Sequence, residues 1–155
     1  MAAMLKAGDP APDFKATATD GRPVSLSALR GRPVVVYFFP KAFTPGCTLE
    51  TRAFRDAYPE LSALGVEVIG VSADSNERQC EFAAAEKVSF PMVGDSSREL
   101  GKAFDALWPL LNVNQRITYV IDEKGRIEAV FHHELQIGKH LARVREHLAS
   151  RKPAV

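Results

Sequence analysis

The sequence predicts a single α/β domain over residues 1–155, built around a βαβ unit. Val34–Phe39 is an unbroken apolar run of β-branched and aromatic residues, typical of a strand buried on both faces. Residues 66–72 form a second run of this kind, so the two strands should be parallel and joined by a right-handed crossover. Between them, helical spacing predicts one core-facing side, made of Leu49, Ala53, Phe54, Ala57, Tyr58 and Leu61.

Turn residues and apolar spacing define the other elements. Residues 14–19 and 23–26 alternate around Asp20-Gly21 like a β-hairpin. A helix should follow Ser75-Asn76, then a short strand at 90–93, a helical segment at 97–104, two strands at 117–121 and 127–131, and a final helix with an apolar stripe. This order is that of a thioredoxin-like sandwich with an N-terminal β-hairpin extension.

Charge and composition narrow the classes of function. A net charge of +1 gives no reason to expect nucleic acid or an anionic membrane as partner. The first ten residues lack an apolar segment of signal-peptide length, and no segment reaches the roughly 20 apolar residues of a membrane span, so we expect a cytoplasmic protein. Cys47 and Cys80 are too few for a disulfide framework or a structural zinc site, so their chemistry should be transient.

Cys47 is the candidate reactive residue because it stands at the start of the first long helix. Thr44 suits the N-cap and Pro45 the first helical position, which makes Cys47 the third residue of the helix. An anion at that position meets free backbone N–H groups and the positive end of the helix dipole. A thiol there should ionise readily and become nucleophilic, although a small buried hydrophobe explains the position alone equally well.

The residues before Cys47 argue against dithiol exchange. A thioredoxin-type redox protein carries C-x-x-C at this junction, whereas this chain has Thr44-Pro45-Gly46-Cys47. Because a hydroxyl replaces the first thiol, the local pair cannot form a disulfide. A hydroxyl beside a thiolate suits a small polar substrate that is held by hydrogen bonds while the sulfur attacks it.

Pro40, Thr44 and Cys47 form the pattern P-x-x-x-T-x-x-C, which resembles the peroxiredoxin active-site motif. The wider pattern, from residues 8–14 through 90–93 to 116–122, is similar to the bacterioferritin comigratory protein branch, also called PrxQ. The resemblance implies a thiol-dependent peroxidase that reduces hydrogen peroxide and organic hydroperoxides. It also implies that the enzyme needs no metal or organic cofactor and is recycled by thioredoxin or a similar dithiol donor.

The resemblance also implies roles for individual residues. Cys47 would be the peroxidatic cysteine, whose thiolate attacks the peroxide and becomes a sulfenic acid. Arg116 would act on the thiolate and the peroxide oxygens, Thr44 would hydrogen-bond the peroxide, and Pro40 would shield the sulfur. Plainer explanations are a solvated strand-end charge, an N-cap and a strand end, respectively. Glu50 lies one turn from Cys47, where it either orients an arginine or faces solvent.

The resolving cysteine departs from the pattern of the branch. Many members carry it five residues after the peroxidatic one, where this chain has Arg52. Some members resolve from the next helix, usually nearer Ala83; Cys80 lies one turn away, so we expect these two positions to share a face. The resemblance therefore implies an intramolecular Cys47–Cys80 disulfide. Such a bridge requires local unwinding around Cys47, because bridged Cα atoms lie about 4.4–6.8 Å apart.

Several alternatives stay open at this point. The chain could be a one-cysteine peroxidase recycled by an external thiol such as glutathione or glutaredoxin, or a redox sensor or holdase without turnover. Both monomers and homodimers fit. His132 and His133 are adjacent on a strand, so they point to opposite faces and cannot both bind one metal ion from there. Phe43 and Trp108 could line the pocket, although core or surface packing is the more usual role of such residues.

Overall fold

The computed structural model describes residues 5–108, 113–132 and 137–150, with the side chains of 137–141 excepted. The elements are β1 (Lys15–Thr17), β2 (Pro23–Ser25), a 3₁₀ turn (Ser27–Leu29), β3 (Val34–Phe39), α1 (Pro45–Ala63), β4 (Glu67–Ser72), α2 (Asn76–Ala85), β5 (Met92–Gly94), α3 (Glu99–Ala103), β6 (Ile117–Ile121), β7 (Ile127–His132) and α4 (Ile137–Ser150). The predicted α/β order and the N-terminal hairpin are confirmed. Within the described ranges, none of the helices is long and apolar enough to cross a membrane.

A five-stranded mixed sheet, ordered β5-β4-β3-β6-β7, forms the centre of the fold, and β1 and β2 form a separate antiparallel hairpin. The predicted βαβ unit is confirmed, since β3 and β4 are parallel and pair Phe39 with Ser72 at their ends. Strand β6 is antiparallel to β3 and pairs Ile117 with Phe38. The ends of β3 and β4 and the start of β6 therefore meet at one edge of the sheet, called the site edge below.

Two hydrophobic clusters cover the two faces of this sheet. Alternate residues of β3 point into each, as the pleat of a strand requires. Val34, Val36 and Phe38 join the cluster that contains residues of the N-terminal hairpin and α3, whereas Val35, Tyr37 and Phe39 join the cluster packed against α1, α2 and α4. Cys47 belongs to this second cluster. The candidate reactive sulfur is thus part of a packed interior.

The predicted core face of α1 is wrong at the second turn of the helix. Leu49 is exposed, whereas Glu50 and Thr51 are buried. Leu61, Phe54, Glu50 and Cys47 follow one another at three- and four-residue intervals, or two such intervals, and so lie on one side of the helix. Leu49 falls outside this buried stripe. The inward side of this turn carries polar residues because it meets the site edge and an arginine there.

Candidate active site

The start of α1 places Cys47 at a buried helix N-terminus. Thr44 has an extended N-cap conformation, Pro45 occupies the first helical position, and the Thr48 N–H donates to the Thr44 carbonyl at 2.9 Å. Cys47 is therefore the third helical residue, as predicted, and only 1% of its surface is exposed. The N–H groups of a first helical turn have no partner within the helix, so this end favours a negative charge.

Arg116 supplies a cation to this sulfur. Its Nη2 donates to Sγ of Cys47 at 3.6 Å, and its Nη1 donates to Oε1 of Glu50 at 3.0 Å. The Arg116 and Glu50 side chains are only 7% and 1% exposed. The structure therefore excludes the interpretation of Arg116 as a solvated charge and of Glu50 as a surface carboxylate. Glu50 instead orients the guanidinium toward the sulfur, the other arrangement that the sequence allowed.

The charges of this cluster support one another. Burial alone would lower the pKa of Arg116, but the Glu50 carboxylate and the Cys47 sulfur raise it by more. The pKa of Arg116 is therefore raised from its ordinary value. A guanidinium held this way stays cationic and stabilises a thiolate beside it. Tyr37 lies below the cluster and shares a 3.1 Å hydrogen bond with Thr51, while burial raises its pKa well above the ordinary value. Tyr37 is therefore a neutral phenol.

Thr44 occupies the N-cap without capping the helix through its side chain. No N–H group of the helix donates to its hydroxyl; instead, Oγ1 donates backwards to the Lys41 carbonyl at 2.7 Å. Pro40 follows β3 directly and is half-buried. The carbonyl of Phe39, just before it, accepts from Nδ2 of Asn114 at 3.3 Å, which ties the end of β3 to the segment that carries Arg116.

The segment from β4 into α2 holds the loop before Cys47. Oδ2 of Asp74 accepts from the Ala42 N–H at 2.7 Å. The Phe43 ring lies 5.2 Å from that of Phe82, and the Arg78 guanidinium carbon is 4.2 Å from the Phe43 ring centroid. Sequence reasoning missed the contacts of Asp74, Arg78 and Phe82 with this loop. The available signal was the parallel strand pair, because it brings the segments that follow both strands to one edge.

Cys80 and Ala83 do not share a face of α2 as predicted. Ala83 packs against the cluster that contains Cys47, whereas Cys80 is exposed and lines a surface cavity with Asn76, Glu77 and Glu81. Residues three apart on a helix differ by about sixty degrees of rotation, enough here to separate an inward from an outward position. The two cysteines are free thiols, and Cys80 lies outside the buried cluster around Cys47.

The position five residues after Cys47 has a structural role. Nε of Arg52 donates to Oε1 of Glu86 at 2.5 Å, and Nη1 of Arg55 donates to the Glu86 carbonyl at 2.9 Å. Glu86 directly follows α2, so both arginines tie α1 to the end of that helix.

The remaining candidates lie around the segment before β6. Trp108 is half-buried, and its backbone N–H donates to the Val113 carbonyl at 3.0 Å. Its ring centroid lies 6.3 Å from that of His132. His133 lies outside the described residues. In the described part of the chain, no group of three or more His, Cys, Asp or Glu side chains has the arrangement of a metal site.

Comparison with known proteins shows which family this chain is similar to. Residues 7–130 match the model of the AhpC/TSA family. The chain is 39% identical to the chloroplastic peroxiredoxin Q of Sedum lineare over 140 residues, covering 90% of this chain and 75% of that protein. It is 38% identical to peroxiredoxin Bcp of Escherichia coli K12, covering 82% and 85% of the two chains. A solved structure of the Xanthomonas campestris bacterioferritin comigratory protein, from work on its alkyl peroxide reduction, superposes with a TM-score of 0.84 at 27% identity, covering 93% and 98%.

Proposed function

This chain belongs to the AhpC/TSA family and is a peroxiredoxin, a thiol-dependent peroxidase, and from that premise we propose that Cys47 is its peroxidatic cysteine. The observation that carries the assignment is the 3.6 Å contact between Arg116 Nη2 and Sγ of Cys47 at a buried helix N-terminus. The helix end and the guanidinium both favour the thiolate, which is the nucleophilic form of cysteine.

The reaction follows from the groups around the sulfur. The Cys47 thiolate attacks the terminal oxygen of the hydroperoxide, so that an S–O bond forms and the O–O bond breaks. The sulfur loses two electrons and becomes a sulfenic acid, and the departing oxygen leaves as alkoxide or hydroxide and takes a proton from solvent. Arg116 stabilises the charge that moves onto that oxygen, Thr44 hydrogen-bonds the peroxide, and Pro40 shields the sulfur.

Both hydrogen peroxide and organic hydroperoxides are proposed substrates. Phe43 directly precedes Thr44, and its side chain is 40% exposed. An exposed aromatic ring in the loop that leads into Cys47 offers apolar surface to the alkyl group of an organic hydroperoxide. The similarity to a protein studied for alkyl peroxide reduction supports the organic substrates further.

We propose that Cys80 resolves the sulfenic acid. Its thiolate would attack Sγ of Cys47, so that the S–S bond forms and the S–O bond breaks. The oxygen leaves as hydroxide and takes a proton from solvent to become water, and a dithiol donor such as thioredoxin then returns two electrons. The helices that carry the two thiols both start near the site edge, which supports the pairing. Cys47 is buried and Cys80 faces outward, so the first turn of α1 or part of α2 must unwind first.

An external thiol is the second candidate for resolution. It is favoured by the outward orientation of Cys80, whereas the neighbouring Ala83 faces the Cys47 cluster. A cytoplasmic location and a monomeric or homodimeric state remain predictions from the sequence.

Peroxide consumption and intact mass test both steps. With thioredoxin, thioredoxin reductase and NADPH, we expect catalytic turnover of hydrogen peroxide and cumene hydroperoxide by wild type and none by Cys47→Ser. After one equivalent of peroxide, wild type should lose two hydrogen atoms, and Cys80→Ser should instead retain a sulfenic acid that dimedone traps. A Cys80→Ser protein with normal turnover contradicts the disulfide in favour of an external thiol. Ala83→Cys in the Cys80→Ser background is the matched control, because it places a thiol on the inward position.

A further inference from the structure

The peptide group between Lys41 and Ala42 is held from both sides. Its N–H donates to Oδ2 of Asp74 at 2.7 Å, and its carbonyl accepts from Oγ1 of Thr44, also at 2.7 Å. A peptide unit is planar and conjugated, so the two bonds act on one rigid, polarisable group. Asp74, this peptide and the Thr44 hydroxyl thus form a continuous hydrogen-bonded chain that ends three residues before Cys47.

The direction of this chain determines what Thr44 can do. A threonine hydroxyl has one proton and two lone pairs. At an N-cap, the oxygen commonly accepts from an N–H of the helix, but here the proton is committed to Lys41 and no such cap bond forms. Lone pairs of Oγ1 therefore remain for a ligand at the helix N-terminus, and Thr44 is an acceptor there rather than a donor.

Asp74 strengthens this arrangement from the other end. Hydrogen bonds to a carboxylate are stronger than bonds between neutral groups, and a chain of bonds polarises its members in turn. An N–H held by Asp74 makes the Lys41 carbonyl a better acceptor and so holds the Thr44 proton more firmly. The register of β3 and β4 explains how Asp74 reaches the loop: Phe39 pairs with Ser72, so Ala42 and Asp74 both lie just past the site edge.

We propose that Asp74 is a positioning residue for the peroxidase reaction, acting through the Lys41–Ala42 peptide to fix Thr44 as the hydrogen-bond acceptor of the hydroperoxide O–H group. The inference rests on the proposed role of Cys47. While the sulfur attacks the terminal oxygen, the O–H group of that oxygen needs a hydrogen-bond acceptor, and Thr44 Oγ1 supplies one. The proton stays on this oxygen and becomes the hydroxyl proton of the sulfenic acid. Arg116 donates from its own position, so the O–O bond is held between an acceptor and a donor.

A double-mutant cycle on the first chemical step tests the proposal. The rate of sulfenic acid formation is measured by stopped flow on pre-reduced protein with hydrogen peroxide, before any resolution. We expect Asp74→Ala to lower this rate about tenfold, the usual effect of losing one hydrogen bond. Asp74→Asn retains a neutral acceptor of the same size and should lower the rate only about threefold. In a Thr44→Val background, Asp74→Ala should have no further effect, because the group it acts through is absent.

Asp122→Ala is the matched control. Oδ1 of Asp122 accepts the N–H groups of Lys124 and Arg126 at 2.9 Å, and this turn follows the end of β6 opposite the site edge. Both alanine variants should lower thermal stability, but Asp122→Ala should leave the rate unchanged. Equal rate losses from Asp74→Ala in the wild-type and Thr44→Val backgrounds, or no loss in either Asp74 variant, would overturn the proposal. Failure of the proposed function looks different, because wild type and Cys47→Ser would then react alike.

Discussion

Arg116 and Glu50 form an ion pair inside the protein, with Nη1 and Oε1 3.0 Å apart and both side chains almost fully buried. The other terminal nitrogen of the guanidinium, Nη2, donates to Sγ of Cys47. One guanidinium is therefore shared between the carboxylate of Glu50 and the sulfur of Cys47. Arg116 and Glu50 should therefore influence the reactivity of the Cys47 sulfur in opposite directions.

Arg116→Ala should slow the reaction of Cys47 with hydrogen peroxide by about a hundredfold or more, as loss of a preorganised charge-stabilising donor does in other enzymes. The pH midpoint of this reaction should move upward, because the thiolate loses its cation. Arg116→Lys retains the positive charge but loses the planar set of N–H donors, so it should give an intermediate rate. Stopped-flow rates across pH provide the measurement, and an alanine variant as fast as wild type would contradict the assigned role.

Glu50→Gln should shift the pH midpoint of the peroxide reaction downward. The neutral amide no longer competes with the sulfur for the positive charge of Arg116, so the thiolate forms more easily. Glu50→Ala should also lower the free energy of unfolding by about 3–5 kcal/mol, because it breaks a buried ion pair. Rates across pH together with urea unfolding separate the two effects. An upward shift in Glu50→Gln would show that Glu50 does not draw charge away from the sulfur.

Glu86→Ala should loosen the contact between α1 and α2. Losing the Arg52 ion pair should lower the free energy of unfolding only slightly, because the Arg52 side chain is exposed to solvent. Formation of the proposed Cys47–Cys80 disulfide should become faster, because the unwinding that it requires is opposed by one contact fewer. The matched control is Glu60→Ala, which removes a 2.7 Å ion pair between α1 and Arg145 of α4. Equal disulfide rates in both variants, measured by quenched-flow mass spectrometry, would contradict this role of Glu86.

Gly70→Ala should destabilise the fold although its backbone is ordinary β-strand. A Cβ at this position would lie 2.6 Å from Sδ of Met92 and 2.7 Å from Oη of Tyr37. Overpacking of this kind typically costs about 1–3 kcal/mol, which corresponds to a fall of several degrees in Tm. Thermal unfolding by circular dichroism measures it. A raised Tm would contradict the packing, since alanine is otherwise better than glycine in a strand.

Tyr58 should make stability depend on alkaline pH. Burial, together with the 2.8 Å hydrogen bond that its hydroxyl donates to Glu67, raises its pKa from 10.0 to about 12. A folded-state pKa above the unfolded value means that the contribution is complete below pH 10.0 and is lost as the pH rises toward 12. Wild type should therefore lose stability more steeply than Tyr58→Phe between these values. The free energy of unfolding is measured by urea unfolding over this pH range. An equal loss in the two proteins would contradict the prediction.

Local patterns predicted the fold well because the two long apolar runs and the helix between them are unambiguous. They failed at Leu49, because the expectation that apolar residues face the core does not hold beside a polar site. Glu50 and Cys47 occupy the buried side of the helix there. They also missed Asp74, because its partner Ala42 lies 32 residues away in sequence. Such contacts depend on strand register, which a single sequence does not specify.

The motif identified the sulfur and its neighbours, but not the directions of their hydrogen bonds. Thr44 was expected as an N-cap and stands at that position, yet its proton points back to Lys41. Cys80 shows the same limit for a helix, because spacing alone did not establish which side of α2 is buried. Orientation within an element follows from what packs against it.

The chain contains a single tryptophan, Trp108, and its backbone is hydrogen-bonded to the segment that precedes β6. Trp108 joins Val113 by a backbone hydrogen bond, and the adjoining Leu107–Asn114 bridge leads directly into the segment that ends at Arg116. Any rearrangement of that segment during the catalytic cycle would alter the surroundings of one indole and of no other. The protein thus carries an intrinsic fluorophore suited to reporting its own redox state in real time, without a label.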